Sequence, residues 1–173
     1  MRVNRRRILK GLVALPLIGS ALIPKHQVAA GEITGPAALD RKIQESPLIY
    51  LTPLGRDGAF SQCQAEIWFV EVAGQLLVCT NTDSWRARAI TLGRQLTKIW
   101  VGDVGVWKKG SSKHLDLPSF EAEGALVTDQ TTINLALEAF GDKYPLQWLL
   151  WKGRFKKGLK DGSRVMLGYQ ALS

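Results

Sequence analysis

The chain has 173 residues, with 23 lysines and arginines against 15 acidic residues and a formal net charge of +8. Residues 1–30 hold six of the 23 basic residues and no acid, so the remainder carries 17 basic and 15 acidic residues, a net charge of +2. This near balance gives no support to nucleic-acid binding. The remainder has a single histidine, His114, which excludes a site that needs two histidine ligands.

Residues 1–30 have the order of features found in a bacterial export signal. An arginine pair, Arg5-Arg6, is followed by one intervening residue, Arg7, then by two aliphatic residues and a lysine, and then by an apolar run over residues 11–24. Glycine and proline interrupt that run, which is shorter than the about 20 apolar residues of a membrane span. Val28-Ala29-Ala30 supplies the small residues that a signal peptidase prefers.

The segment resembles a twin-arginine signal. It predicts recognition by the twin-arginine translocase, cleavage near residue 30, and a soluble periplasmic domain formed by residues 31–173 with no stable membrane span. An uncleaved anchor and an ordinary secretory signal are the alternatives.

The remaining sequence predicts about six strands with two or three flanking helices. Short apolar runs bounded by turn residues indicate strands, and apolar residues three or four apart indicate helices. The predicted strands cover residues 48–52, 65–72, 76–81, 98–101 with a continuation at 104–107, 119–128 and 164–170. Helical spacing covers residues 37–45, 84–96, 132–140, ended by Gly141, and 146–157.

Most early connections are short enough for hairpins, which favours antiparallel pairing over parallel βαβ units. We therefore expect a mainly β (α+β) fold, a six-stranded antiparallel split β-barrel, because barrel closure removes exposed sheet edges. Gly124 is a possible bulge in its strand. His114 lies in a polar stretch and is expected to be a mobile surface residue.

The two cysteines are not expected to pair. A hairpin turning at residues 73–75 places Cys79 beside Trp68, five residues from Cys63. At about 3.4 Å per residue this separation is about 17 Å, too far for a disulfide unless the strand bends sharply.

The order of elements between residues 48 and 107 carries a family resemblance. A strand ends at Thr52, a polar-glycine turn follows at Arg56-Asp57-Gly58, and a strand bearing Trp68 leads to a polar corner at residues 80–84. This order resembles the pyridoxamine-phosphate-oxidase-like split-barrel family and its deazaflavin-dependent nitroreductase relatives. The basic phosphate motif of the oxidase itself is absent, which leaves the cofactor open.

The resemblance implies FMN, or less readily a deazaflavin, at the interface of a homodimer. By position, Thr52 and Trp68 would lie near the ring. The residues implied around the phosphate are Thr80, Asn81, Thr82, Ser84, Arg86 and Arg88. Hydroxyls, guanidiniums and a helix N-terminus suit a phosphate, although the same polar residues could simply begin a helix. Only one of the two arginines is expected to point inward, because residues two apart on a helix do not share a face.

Other chemistry-bearing residues have simpler explanations. Trp148 and Trp151 are expected to form a core-packing or dimer-facing helix side, and Trp68 and Trp100 are expected in the barrel core more than against a ring. A basic cluster could meet a cofactor phosphate or an anionic lipid, although a solvated helix face is the usual explanation. That cluster consists of Lys152, Arg154, Lys156, Lys157, Lys160 and Arg164.

The leading functional hypothesis is a periplasmic FMN-binding oxidoreductase that passes electrons to a small acceptor such as a quinone or nitro compound, with catalytic residues unknown and no metal site. The first alternative is a non-catalytic module that holds haem or another ligand on the same barrel. The second is a cofactor-free barrel whose cleft serves as a protein interface.

Overall fold

The computed structural model describes residues 36–61, 64–106, 108 and 111–172. The predicted signal and Cys63 lie outside the described residues. The elements in chain order are α1 (Pro36–Glu45), β1 (Ile49–Pro53), β2 (Ala65–Ile67), β3 (Val70–Val72), β4 (Gln75–Asn81), α2 (Trp85–Thr91), β5 (Leu96–Val101), a short 3₁₀ helix (Lys113–Asp116), β6 (Ser119–Val127), α3 (Gln130–Lys143), α4 (Pro145–Asp161) and β7 (Arg164–Ala171).

The described strands form one antiparallel sheet in the order β2-β1-β5-β6-β7-β4-β3. The prediction of an antiparallel, mainly β fold with flanking helices is confirmed, with seven strands and four α-helices among the described residues. The extra strand arises because the predicted strand 65–72 divides at Trp68 and Phe69. Its first part pairs with β1 and its second part with β4, so two residues link the two edges of a curled sheet.

The inner face of the sheet encloses the main hydrophobic core. Alternate residues of the strands point inward, as the period of two requires, and the short helix α2 closes the core from one side. The buried members include Ile49, Leu51, Phe69, Leu76, Val78, Ile90, Ile99, Val101, Ala122, Leu167 and Tyr169.

A second core lies between the outer face of β3, β4 and β7 and the helices α3 and α4. Phe140, Tyr144, Trp148 and Phe155 pack there against strand residues such as Leu77. The expectation that Trp148 packs in a core is confirmed, since this side chain is 7% exposed. The placement of Trp68 in the barrel core is wrong, because its ring packs in this second core.

Trp100 and His114 belong to a third aromatic group, on the outer face of β1 and β5. The His114 ring stacks on Tyr50 with centroids 5.4 Å apart and meets the edge of Trp100 at 4.9 Å. His114 is 1% exposed, so the expectation of a mobile surface residue is wrong. Burial lowers the pKa of its imidazole. The 3₁₀ helix brings the ring inward, which the polar composition of its neighbours did not indicate.

Three predicted boundaries are also wrong. Residues 104–106 are not a strand; the Tyr50 hydroxyl accepts from the Val104 N–H at 3.1 Å and donates to the Gly105 carbonyl at 2.7 Å. Helix α2 ends at Thr91 and not near residue 96, because Gly93 takes a left-handed conformation, with φ 74°. Helix α3 continues through Gly141 to Lys143.

Gly124 marks a close approach rather than a bulge. It pairs in register with Tyr169, and a Cβ at this position would lie 2.8 Å from Tyr169 Cε1 and 3.0 Å from Ile90 Cδ1. The tyrosine ring therefore occupies the space that any larger residue would need, and it fills this part of the barrel core.

We expect Gly124→Ala to reduce the free energy of unfolding by about 1–3 kcal/mol, because the added methyl group overpacks the core. Gly153→Ala is the matched control. Position 153 is in an exposed helical turn with nothing within 4 Å of the added Cβ, so this change should stabilise by about 0.5–1 kcal/mol. Urea denaturation of both variants measures the difference, and equal stability would contradict the packing argument.

Candidate functional site

The Tyr144 side chain fixes the segment that links the sheet edges. Its hydroxyl accepts from the Phe69 N–H at 3.1 Å and lies 2.7 Å from the Phe69 carbonyl and 3.0 Å from the Pro47 carbonyl, to which it can donate. Burial raises the pKa of Tyr144 to about 12, so the hydroxyl keeps its proton. The ring stacks on Trp68 with centroids 4.9 Å apart and planes at 10°. Tyr144 thereby orients Trp68.

Trp68 forms part of an aromatic cleft of about 310 Å³, lined by Leu48, Glu66, Ile67, Trp68, Cys79, Trp151 and Phe155. Trp151 meets Trp68 edge to face, with centroids 6.2 Å apart. Tyr144 covers one face of the Trp68 ring, and the rest of the indole borders the cleft. These flat apolar walls suit a planar ring system.

A basic cleft of about 500 Å³ lies along the C-terminal half of α4, lined by Asn81, Thr82, Asp83, Arg154, Lys157, Gly158, Asp161, Ser163 and Arg164. Lys157 pairs with Asp161 at 2.6 Å, and this pairing together with hydrogen bonds from Ser163 holds the pKa of the Asp161 carboxyl well below its usual range. The other charged lining residues are Arg154, Arg164 and Asp83, so the cleft carries an excess of positive charge.

Two arginine–aromatic pairs connect the clefts. The Arg164 guanidinium lies 5.3 Å from the centre of the Phe155 ring, and the Arg154 guanidinium lies 5.0 Å from Trp151. Each arginine lines the basic cleft and each aromatic ring lines the aromatic cleft. The two clefts therefore lie side by side, with these arginine–aromatic pairs between them.

Gly158 makes the position of Arg164 possible. A Cβ on Gly158 would lie 2.7 Å from both Cγ and Cδ of Arg164, so the arginine stem lies directly across the glycine of α4. Burial raises the pKa of the neighbouring Cys79 thiol to about 11, although Arg164, which interacts with that thiol, acts in the opposite direction. The Cys79 thiol is therefore protonated at neutral pH.

The structure brings three of the sequence-predicted residues into these clefts. Trp68 lines the aromatic cleft, and Asn81 and Thr82 line the basic one. The Thr82 hydroxyl donates to the Gly162 carbonyl at 2.6 Å, so it joins the end of α4 to the end of β4. Asn81 pairs with Arg164 across the two strands.

Three others form a separate hydrogen-bonded group where β4 meets α2. Thr80 donates to Ser84 Oγ at 3.2 Å, and Arg86 donates to Thr80 Oγ1. Ser84 caps α2 by accepting from the Ala87 N–H at 3.4 Å. Thr80, Ser84 and Arg86 are not among the described residues lining either cleft.

Thr52 and Arg88 lie outside both clefts as well. Thr52 is fully buried, with its hydroxyl 3.0 Å from Ser61 Oγ. Arg88 is exposed whereas Arg86 is half-buried, which agrees with the expectation that only one of the two arginines points inward.

The sequence interpretation missed the role of Tyr144 and Phe155, and it explained the basic cluster as a solvated helix face. The available signal was the spacing of Trp148, Trp151, Phe155 and Gly158, which places one apolar side of a helix beside its arginines. A glycine on that side indicates that another side chain crosses there.

No protein-family model matches the chain, and no curated protein matches its sequence. Solved structures do match. The haem storage protein HutZ of Vibrio cholerae superposes with a TM-score of 0.52 at 12% identity, covering 80% of this chain and 90% of that one. A candidate pyridoxamine 5′-phosphate oxidase of Listeria innocua gives 0.51 at 10% identity, covering 79% and 93%. An FAD and haem binding protein of Mycobacterium smegmatis gives 0.52 at 20% identity, covering 81% and 67%.

These structures are similar to the chain in fold. The similarity agrees with the curled antiparallel half-barrel and flanking helices of the chain. None of the described helices has the length and apolar character that a membrane crossing requires.

We expect Tyr144→Phe to reduce the free energy of unfolding by about 1–3 kcal/mol, because the buried Phe69 N–H loses its acceptor and the Phe69 and Pro47 carbonyls lose the one hydroxyl donor that lies between them. The near-ultraviolet circular dichroism of the tryptophans should also change, since the ring that stacks on Trp68 loses the hydroxyl that anchors it to the Phe69 backbone. Tyr50→Phe removes a hydroxyl with two backbone partners outside both clefts and is the control. Identical spectra for the two variants would argue against the role assigned to Tyr144.

Proposed function

We propose that the chain is a periplasmic FMN-binding split-barrel oxidoreductase that passes electrons to a small acceptor. The observation that carries the proposal is the contact of an aromatic cleft with a basic cleft through two arginine–aromatic pairs. FMN has a planar ring at one end and a phosphate at the other, and the paired clefts offer matching surfaces.

The described residues fit this cofactor in type and in space. Clefts of about 300–1,000 Å³ are usual for ligands of this size, and the two clefts measure about 310 and 500 Å³. Trp68, Trp151 and Phe155 would border the ring. Arg154 and Arg164 would hold the phosphate, because guanidiniums give phosphates bidentate, charge-assisted hydrogen bonds. A bound flavin supplies the redox chemistry, while the chain supplies position and a dry surrounding.

Both clefts are open to solvent on one protomer, which is consistent with the proposed homodimer. A second copy placed over them would exclude water from the ring and restrict the acceptor to small molecules.

A haem-binding module is the second candidate, because two of the similar solved structures are named for haem. The clefts suit it less well. His114 is buried beneath Tyr50 and Trp100, away from both clefts, and the Cys79 thiol keeps its proton, with a pKa of about 11. The His114 ring therefore cannot reach a ligand in either cleft, and the Cys79 thiol is not in the thiolate form that binds haem iron.

We expect the purified protein to show flavin absorption bands at about 375 and 450 nm, or to acquire them on addition of FMN. Arg164→Gln should weaken FMN binding by about 10–100-fold, because it removes a charge-assisted contact of about 1.5–3 kcal/mol. Arg88→Gln, an exposed arginine of α2, is the matched control and should bind like the wild type.

Arg86→Gln separates the two arrangements of the phosphate. If the phosphate lies at Thr80, Ser84 and Arg86, this variant loses FMN and Arg164→Gln does not. A colourless protein that takes up no FMN would refute the flavin proposal. A single absorption band at about 420 nm would favour haem.

The proposed export has its own test. We expect Arg5→Lys combined with Arg6→Lys to keep the protein in the cytoplasmic fraction, because the twin-arginine pathway reads the arginine pair itself. The lysines preserve the charge that an ordinary secretory signal needs, so normal export of this variant would contradict the twin-arginine assignment. Arg7→Lys is the control, and immunoblots of cell fractions give the readout.

A further inference from the structure

The outer face of α4 carries three leucines that no described part of the chain covers. Leu146, Leu149 and Leu150 are 77%, 80% and 79% exposed. They lie opposite the side of the helix that buries Trp148 and Phe155. Soluble domains rarely expose large apolar side chains in one group unless the group binds something.

Two lysines continue the same face toward the end of the helix. Lys156 and Lys160 are exposed and four residues apart, so they are neighbours on the helix surface and repel each other. The one acid of α4, Asp161, is already engaged by Lys157 and Ser163. The face therefore has an apolar half followed by a cationic half with no acid of its own helix to balance it.

We propose that this leucine–lysine face, made of Leu146, Leu149, Leu150, Lys156 and Lys160, binds the surface of a membrane that contains anionic lipids. Leucines at one end can enter the boundary between headgroups and acyl chains, and lysines keep their ammonium groups among the headgroup phosphates. Anionic headgroups also relieve the repulsion between the two lysines.

The charges favour a lipid surface over a second copy of the chain. A two-fold contact through this face would bury the leucines of both copies, but the face itself carries no acid to pair with their lysines. The face is also separate from the clefts, since none of its five residues lines either one. A failure of the membrane-binding test would therefore leave the FMN proposal untouched, and a failure of the FMN test would leave the membrane proposal untouched.

Gly153 is a suitable reporter position for the face. It lies between the leucines and the lysines, and a side chain added there meets nothing within 4 Å. An environment-sensitive nitrobenzoxadiazole dye on Gly153→Cys of the full chain should brighten and shift to the blue with phosphatidylglycerol vesicles. Phosphatidylcholine vesicles should give a much smaller change. The same dye on Ser112→Cys, and labelling of the unchanged chain, control for other contacts and for the native cysteines.

Leu149→Ser combined with Leu150→Ser should weaken the response of the position-153 dye by about tenfold or more, because apolar insertion is lost. Lys156→Gln combined with Lys160→Gln should weaken it by about tenfold through lost charge. Leu135→Ser, at a leucine of α3 that is 47% exposed, is the matched control and should leave the response unchanged.

Three results would overturn the proposal. The first is no response to anionic vesicles, and the second is a response that the leucine and lysine substitutions do not reduce. The third is a dye shift that follows protein concentration without vesicles, that comes with a mass above that of the proposed homodimer, and that is lost when Leu149 and Leu150 are both changed to serine. This result would show that a further copy of the chain covers the face.

Discussion

The hydrogen bonds between the Tyr144 hydroxyl and the Phe69 backbone are the constraint on which the rest of the arrangement depends. A curled sheet whose two edges are linked by only two residues must turn its backbone out of the ladder there. Buried N–H and C=O groups need partners, and a single phenol at the junction of α3 and α4 supplies one for each group of Phe69. The same hydroxyl reaches the Pro47 carbonyl beside β1. One side chain thus ties the helices to the segment that links the edge strands β2 and β3 and to the chain just before β1.

That attachment determines which side of α4 faces the sheet and which side faces outward. With Tyr144 at its start, the inner side of the helix must cover the outer face of β4 and β7, and Trp148 and Phe155 fill that interface. The flank of the helix then borders the ends of these strands, where Arg154 and Arg164 meet aromatic rings. The outer side has no described neighbour and exposes its leucines. Packing, the proposed ligand contacts and the proposed membrane contact are consequently divided among three sides of one helix.

The sequence predicted the parts of this fold that depend on local pattern. The hairpin at residues 73–75 and the spacing of Trp148 and Trp151 are properties of neighbouring residues, and both are found. The division of residues 65–72 into two strands could not be predicted, because the apolar run continues through Trp68 and Phe69, and the break depends on which edge each half joins. His114 was misplaced for a similar reason: its polar neighbours indicate a loop, whereas its burial depends on Tyr50 and Trp100, which are distant in sequence.

The arginines of the candidate site show why residue type alone could not assign the phosphate. Arg86 donates to Thr80 beside the buried hydroxyl of Tyr169, and its charge opposes the burial that raises the pKa of that tyrosine. Its guanidinium is therefore already engaged by Thr80 and Tyr169. Arg164 is placed by a glycine beneath its stem and an aromatic ring beside its guanidinium, and it borders an open cleft. A stacked guanidinium keeps in-plane donors for an anion, and its orientation costs little further entropy on binding. Arg164 is therefore better placed than Arg86 to bind the proposed phosphate, although Arg86 lies within the sequence pattern that predicts a phosphate site.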